Sequence, residues 1–274
     1  SSTRKLDAME TLELIAVLGY AAALVVGLVL GLIGGGGSIL TVPVLVYLLK
    51  VDAEMATAYS LFVVGVSAAF GAVQNYRNGL VDMKTGIVFA LPSLAAVYAT
   101  RRWMIPAIPD AFEVMGLPLT KSLLIMVLFA ILMIAASVSM IRGRKESTEE
   151  AGQAKWWLVP IEGVAVGVLT GMVGAGGGFL IIPALVVLVR MPMKVAVGTS
   201  LMIIAFKSMV GFLGDLGTDK VMDWSLLGIF TALTVVGILL GMQLAKRIDG
   251  GALKKGFGYF VLVMGAFILL KEII

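Results

Sequence analysis

The 274-residue chain contains no cysteine and no histidine. The first absence excludes disulfides and thiol chemistry. The second removes the commonest metal ligand and the usual proton relay. Charge is scarce too: 14% of residues are charged, against about 25% in a soluble domain. The basic residues are scattered among short loops without a basic–aromatic patch, so nucleic acid is not an expected partner. What fills the chain is apolar: 60% of residues are hydrophobic and the mean hydropathy is +1.05. No soluble fold of this length hides so much apolar surface, so the chain reads as a polytopic membrane protein whose main partner is the lipid bilayer. Ser1–Glu13 is polar and shows no cleavable signal pattern, so the first apolar tract is expected to remain as a membrane helix.

Glycine is abundant, and its placement organises the rest. Gly34 to Gly37 and Ser38 run into Ile39–Pro43; Gly174, Ala175 and Gly176 to Gly178 run into Phe179–Pro183. Each run interrupts a long apolar tract. A glycine costs about 1 kcal/mol relative to alanine inside a helix, so helix breaks are expected at both places. Broken backbone survives in hydrocarbon only where protein or water satisfies it. Matched breaks in two halves of a chain point to a transporter binding site.

The order of segments follows. A span over about Leu12–Ile33 precedes the first glycine run, and Ser38–Leu49 is too short to cross, giving about 18 Å of helix. Spans are expected over Ala56–Tyr76, Met83–Ala99 and beyond, and Leu119–Ile141. Arg101, Arg102 and Trp103 have the composition of an interfacial anchor. Ile105–Pro118, with three prolines, reads as a turn-rich loop. The polar stretch 142–155 reads as a linker. Beyond it come a span over Trp156–Val173, a short segment over Phe179–Val189, and spans over Val195–Leu213, Trp224–Ala245 and Gly256–Leu270. Asp215, Asp219, Lys220 and Asp223 fall in an expected loop. The chain therefore divides into a first membrane repeat over 12–141, the linker, and a second membrane repeat over 156–272.

Adding 140 to a residue number superposes the halves from Gly27 to about Gly71 without a gap. Pro43 meets Pro183, Ser60 meets Ser200, and the glycine runs coincide. Biased composition alone does not align these together. Each half holds a broken hairpin and three further spans, so each begins and ends on opposite faces and the second starts inverted. The expected fold is an all-α membrane protein of two inverted-topology repeats. Twelve basic residues, among them Arg77, Arg142, Arg190 and Lys246, collect on one face and eight on the other. The larger set marks the cytoplasm, which leaves both termini outside.

Half-helix N-termini meeting at the midplane would present free N–H groups and positive dipole ends to an anion. The candidate substrate-binding residues of the breaks are Gly35, Gly36, Gly37, Ser38 and Thr41, with Gly176, Gly177 and Gly178. The neighbouring spans add Tyr59 and Ser60, aligned with Thr199 and Ser200. Lys207 lies well inside a span, where a charge is expensive and reads as functional unless it reaches an interface. A coupling ion, proton or sodium, would need a carboxylate, and Glu162, Asp215 and Asp223 are the nearest. Gly65, Ala68, Ala69 and Ala72 would serve either a homodimer contact or internal packing. The glycines do not fit a nucleotide loop, because the required spacing and the Lys-Ser or Lys-Thr pair are missing. No Ser/His arrangement, paired intramembrane Asp or metal-ligand cluster points to an enzyme, a metal site or a cofactor.

The motifs Gly31-Leu-Ile-Gly-Gly-Gly-Gly-Ser38…Val42-Pro43 and Gly171-Met-Val-Gly-Ala-Gly-Gly-Gly178…Ile182-Pro183, with Ala196-Val-Gly-Thr-Ser-Leu201, resemble the sulfite exporter TauE/SafE family. The resemblance covers all but the termini and the linker. It implies an inner-membrane carrier, most often an exporter, of small sulfur anions such as sulfite, thiosulfate or organosulfonates. It also implies that the glycine runs and the Thr-Ser positions line the anion path. Two departures stand out: Ala58-Tyr59-Ser60 replaces the usual Gly-Thr-Ser form, and Lys207 stands where a neutral polar residue is expected. An anion channel using the same dipole ends is the alternative reading.

Overall fold

The computed structural model describes residues 2–114, 117–142, 157–216, 221–245, 247 and 250–273. The expected linker lies, from residue 143 on, outside the described residues, as do Asp219 and Lys220. The chain is an all-α, multi-pass membrane protein, with one small hairpin among the described residues. Helix α1 (Ser2–Ile33) leads into the first glycine run and the one-turn α2 (Thr41–Pro43). Then come α3 (Ala53–Arg77), α4 (Met83–Ala99), α5 (Ile105–Ala107) and α6 (Lys121–Arg142). The second half holds α7 (Leu158–Val173), α8 (Gly178–Leu188), α9 (Met193–Asp215), α10 (Trp224–Ala245) and α11 (Gly250–Ile273). Among the described residues, five stretches are long and apolar enough to cross a membrane: Ala53–Arg77, Met83–Ala107, Lys121–Arg142, Lys194–Asp215 and Trp224–Ala245.

Local signals start the helices. Asp52 precedes α3 and accepts the Glu54 N–H at 2.9 Å, and Asp82 precedes α4 and accepts the Thr85 N–H at 3.1 Å. Such caps satisfy backbone donors that a new helix leaves free. Pro92 lies inside α4, which continues through a π-helical turn, Thr100–Met104, into α5. The expected loop over Ile105–Pro118 is instead α5 and an antiparallel hairpin, β1 (Ala111–Val114) with β2 (Leu117–Thr120), Ala111 pairing with Thr120. Four residues on each side with backbone partners at hand form a ladder that proline-rich composition alone conceals.

Both glycine runs reverse the chain, by different means. In the second run Gly174, Gly176 and Gly177 all have positive φ, at 68°, 65° and 78°. In the first run only Gly34 does, at 74°. From there the backbone resumes at once as a 3-10 helix over Gly34–Leu40, then α2, then a π-helical turn over Val44–Leu48. The expectation that this run could not hold helix is therefore corrected. One left-handed residue makes the turn, and the others can take helical φ and ψ. The first return segment doubles back along α1: a Cβ on Gly37 would strike the backbone of Val29 and Leu30, and one on Gly19 would strike Leu49. Both return segments close on a left-handed basic residue, Lys50 and Arg190, 140 positions apart.

The packing between halves repeats, with an offset of 140 from α1 to α7 and of 141 from α4 to α10. Helix α1 lies on α10 and α7 lies on α4. Gly27 meets Thr234 and Gly31 meets Ile238; Gly167 meets Ser93 and Gly171 meets Val97. Helices α3 and α9, which carry equivalent residues, run antiparallel: Gly71 packs on Leu201 and Gly211 on Leu61. The same holds for α6 and α11, where Gly258 packs on Ile141 and Gly265 on Ile134. Glycines allow these helix backbones to approach closely, as small residues do in bilayers. Gly65 belongs to this set, since it faces Met209 of α9.

Candidate functional site

The two glycine breaks meet. A Cβ on Gly178 would fall on the backbone of Gly35, and one on Gly35 would fall on Gly178 and Ile204. Ser38 stands beside this contact with its hydroxyl between two carbonyls, Gly35 O at 2.7 Å and Ala175 O. A hydroxyl has one hydrogen to donate, and Ser38 shares it between a carbonyl of each break. Gly34 packs on Val197 and Gly174 on Thr57, again equivalent pairs. Gly176 faces Val64, Ile204 and Ser38. The Thr41 hydroxyl is buried with no hydrogen-bond partner.

Lys207 is fully buried, so it does not reach an interface. Its ammonium donates to Thr170 Oγ1 at 2.8 Å, and Thr170 in turn donates to Val166 O at 2.6 Å. A Cβ on Gly177 would lie 2.7 Å from Lys207 Nζ. The charge therefore sits against the second glycine turn. Nothing in the motif pattern marks Thr170, whose repeat equivalent is Leu30; a lone threonine in an apolar helix was its only signal.

The polar residues of α3 and α9 are placed differently. The Tyr59 hydroxyl accepts the Asp223 N–H at 2.5 Å. The Thr199 hydroxyl accepts the Asp82 N–H at 2.9 Å. Each thus fastens the residue that precedes the next helix, α10 or α4. Ser200 donates to Val197 O at 2.8 Å, within its own helix, as serine in membrane helices commonly does. Ser60 is buried with no partner for its hydroxyl, as are Ser67 and Ser208.

The largest departure from the sequence reading lies nearby. Arg101 is no interfacial anchor; it is fully buried. Asp215 is not in a loop; it ends α9 and is 1% exposed. Arg101 Nε donates to Asp215 Oδ2 at 2.7 Å, and Nη2 lies 2.6 Å from the same oxygen. Nη1 donates to Thr57 Oγ1 at 2.9 Å and Gly171 O at 3.2 Å. Arg102 and Trp103 are exposed, so the anchoring role fits them alone. Arg101 follows Pro92 and lies inside the π-helical turn, which together bring it inward onto α3, α7 and α9. A pattern of alternating apolar and charged residues does not reveal that rotation.

The guanidinium stands at the C-terminal ends of α7 and α9, where unpaired carbonyls carry partial negative charge. Gly171 O is one of these carbonyls. Among the described residues, Lys207, Arg101 and Asp215 are the fully buried charges; Lys121, 8% exposed, pairs with Glu54 and Asp110. Thr170 and Gly171 are adjacent, so one turn of α7 holds both deep cations. Among the described residues no group of His, Cys, Asp and Glu could hold a metal ion.

Paired helix breaks, a buried cation beside them and multi-pass architecture define the class: a membrane transporter. The sulfite exporter TauE/SafE profile matches residues 19–268, and the chain belongs to that family. It is 29% identical over 255 residues to a "Probable membrane transporter protein" of Xylella fastidiosa, covering 90% of this chain and 92% of that one. It is 25% identical over 272 residues to the "Probable membrane transporter protein MJ0441" of Methanocaldococcus jannaschii, covering 94% and 96%. It is 24% identical to the "Probable membrane transporter protein YdhB" of Bacillus subtilis, covering 89% and 96%. No solved structure matches the chain.

Proposed function

We propose that this protein is a secondary carrier, working as an exporter, of small sulfur-containing anions such as sulfite, thiosulfate or organosulfonates. The substrate binds where the glycine breaks meet, and alternating access exposes that place to one side at a time. The observation that carries this reading is Lys207: a fully buried ammonium at the Gly177 turn, among described residues whose deep charges are otherwise the Arg101–Asp215 pair. An intramembrane cation is costly, and binding an anion is a function that repays it. Membership of the sulfite exporter TauE/SafE family supports the sulfur class.

The frame is two inverted repeats, over 12–141 and 156–272, joined by the polar linker. Reciprocal glycine contacts and the antiparallel course of α3 and α9 support this. In the conformation described, the Gly35 and Gly178 backbones touch, so the site fills as the repeats separate. Gly36 and Thr41 would join it then, with Ser38 released from Ala175 O. The basic residues support an inner-membrane placement with the termini outside. Proton or sodium coupling and a homodimer complete the proposal.

The test is a thermal shift of the purified protein with sulfite, thiosulfate, sulfoacetate, taurine and sulfate. We expect stabilisation by a sulfur anion in the wild type and its loss in Lys207→Ala. At a concentration about 100 times the dissociation constant, one ligand adds about 2.7 kcal/mol of stability. Lys207→Ala that still responds would assign the lysine to packing. In proteoliposomes a carrier saturates and shows counterflow, whereas steady anion conductance would establish the channel reading instead.

A further inference from the structure

The Arg101–Asp215 pair is not something the fold itself requires. The equivalent corner of the other half is built without charge. The contact pairs of α4 and α10 make Met242 the equivalent of Arg101, and an offset of 140 gives Asn75 for Asp215 and Val197 for Thr57. There the Met242 backbone packs against Gly31, and the Asn75 amide donates to Gly71 O within its own helix at 2.9 Å. The same helices therefore pack without an ion pair. Burying two charges is expensive, and a well-packed apolar corner is often as stable. Charge on one side alone calls for another account.

The hold on Arg101 is also incomplete. Nε and Nη2 both approach one oxygen, Oδ2, and Nη2 reaches it without hydrogen-bonding geometry. A bidentate fork would place two oxygens on two nitrogens. Asp215 is the last residue of α9, at the negative end of the helix, where a carboxylate is unfavourable on its own account. Gly214 opens the space in which Arg101 lies. The pair thus joins a strongly binding cation to a carboxylate at a helix end.

We propose that Arg101 is a second anion ligand of the transport path, holding the Asp215 carboxylate at rest and exchanging it for the transported oxyanion. This rests on the carrier reading above. A sulfite or sulfonate group presents several oxygens in the geometry that Nε and Nη2 can take together. Thr57 and Gly171 keep the guanidinium in place through Nη1 while the exchange occurs. Because Lys207 and Arg101 hold adjacent residues of α7, an anion can pass from one cation to the other along a single turn. Release of Asp215 frees the end of α9 from α4, which couples occupancy to separation of the helices.

The test compares the purified full chain with Asp215→Asn and Arg101→Lys in thermal-shift titrations with sulfite, or with whichever anion of the panel stabilises the wild type most. Asp215→Asn removes the internal competitor. The half-saturating anion concentration should fall about tenfold, because the binding-competent form is no longer a minor population. Arg101→Lys keeps the charge but not the fork, and should weaken the response about tenfold or more. An unchanged or weaker response in Asp215→Asn, or an unchanged one in Arg101→Lys, overturns the proposal while leaving the carrier reading intact. If Asp215→Asn does not fold, the exchanged variant Arg101→Asp/Asp215→Arg decides. It restores the pair but moves the guanidinium away from Thr57 and Gly171, so a lost response supports the proposal and a wild-type response overturns it. A wild type that responds to no anion of the panel overturns the carrier reading, and this proposal with it.

Discussion

Gly178→Ala is expected to abolish the folded protein. The added methyl would overlap Cα, C and O of Gly35. Ordinary overpacking costs about 1–3 kcal/mol because side chains yield. Here the obstacle is backbone, and moving it means separating the two breaks. Gly35→Ala should behave alike, since its methyl meets Gly178 and Ile204. Gly228→Ala is the control: it lies in α10 with nothing within 4 Å of the added atom. It should be neutral or stabilising by up to about 1 kcal/mol, the helix-propensity difference. Size-exclusion chromatography of detergent extracts reads the result. A monodisperse Gly178→Ala protein at wild-type yield would mean that the breaks do not touch.

Arg101→Ala is expected to destabilise by about 3–5 kcal/mol, the usual cost of leaving one member of a buried ion pair alone. Asp215 would lose its guanidinium partner at the negative end of α9, and Thr57 Oγ1 and Gly171 O would lose a donor. Arg102→Ala, one position on, should change stability by no more than about 0.5 kcal/mol, as exposed substitutions do. Thermal unfolding in detergent separates the two. Equal effects would place Arg101 back at an interface, as composition alone had it.

Much of the architecture was legible. The span boundaries near Arg77, Met83, Ile141 and Val173 follow from apolar length, and the breaks follow from glycine in places where a helix must cross lipid. The offset of 140 predicts contacts that the tertiary structure then displays, such as Gly71 on Leu201 beside Gly211 on Leu61. Lys207 was legible as well, because charge inside a span is rare enough to signal itself. The hydroxyl positions were less so. Tyr59 and Thr199 align in sequence as a pair, yet their hydroxyls hold the backbones of Asp223 and Asp82. Sequence alignment places residues at equivalent heights without saying which way each side chain turns.

The sequence by itself determined that this is an all-α membrane protein, with a glycine break in each half of the chain and a charge inside a span. Those properties depend on composition and spacing, which lipid translates directly into helices. Only the tertiary structure decided that the breaks touch at Gly35 and Gly178, and that Arg101 turns inward to Asp215. Those depend on the path of α4 past Pro92 and on residues 114 positions apart. A charge at the end of an apolar run looks the same in sequence whether it faces water or a carboxylate. The difference lies in what packs against it.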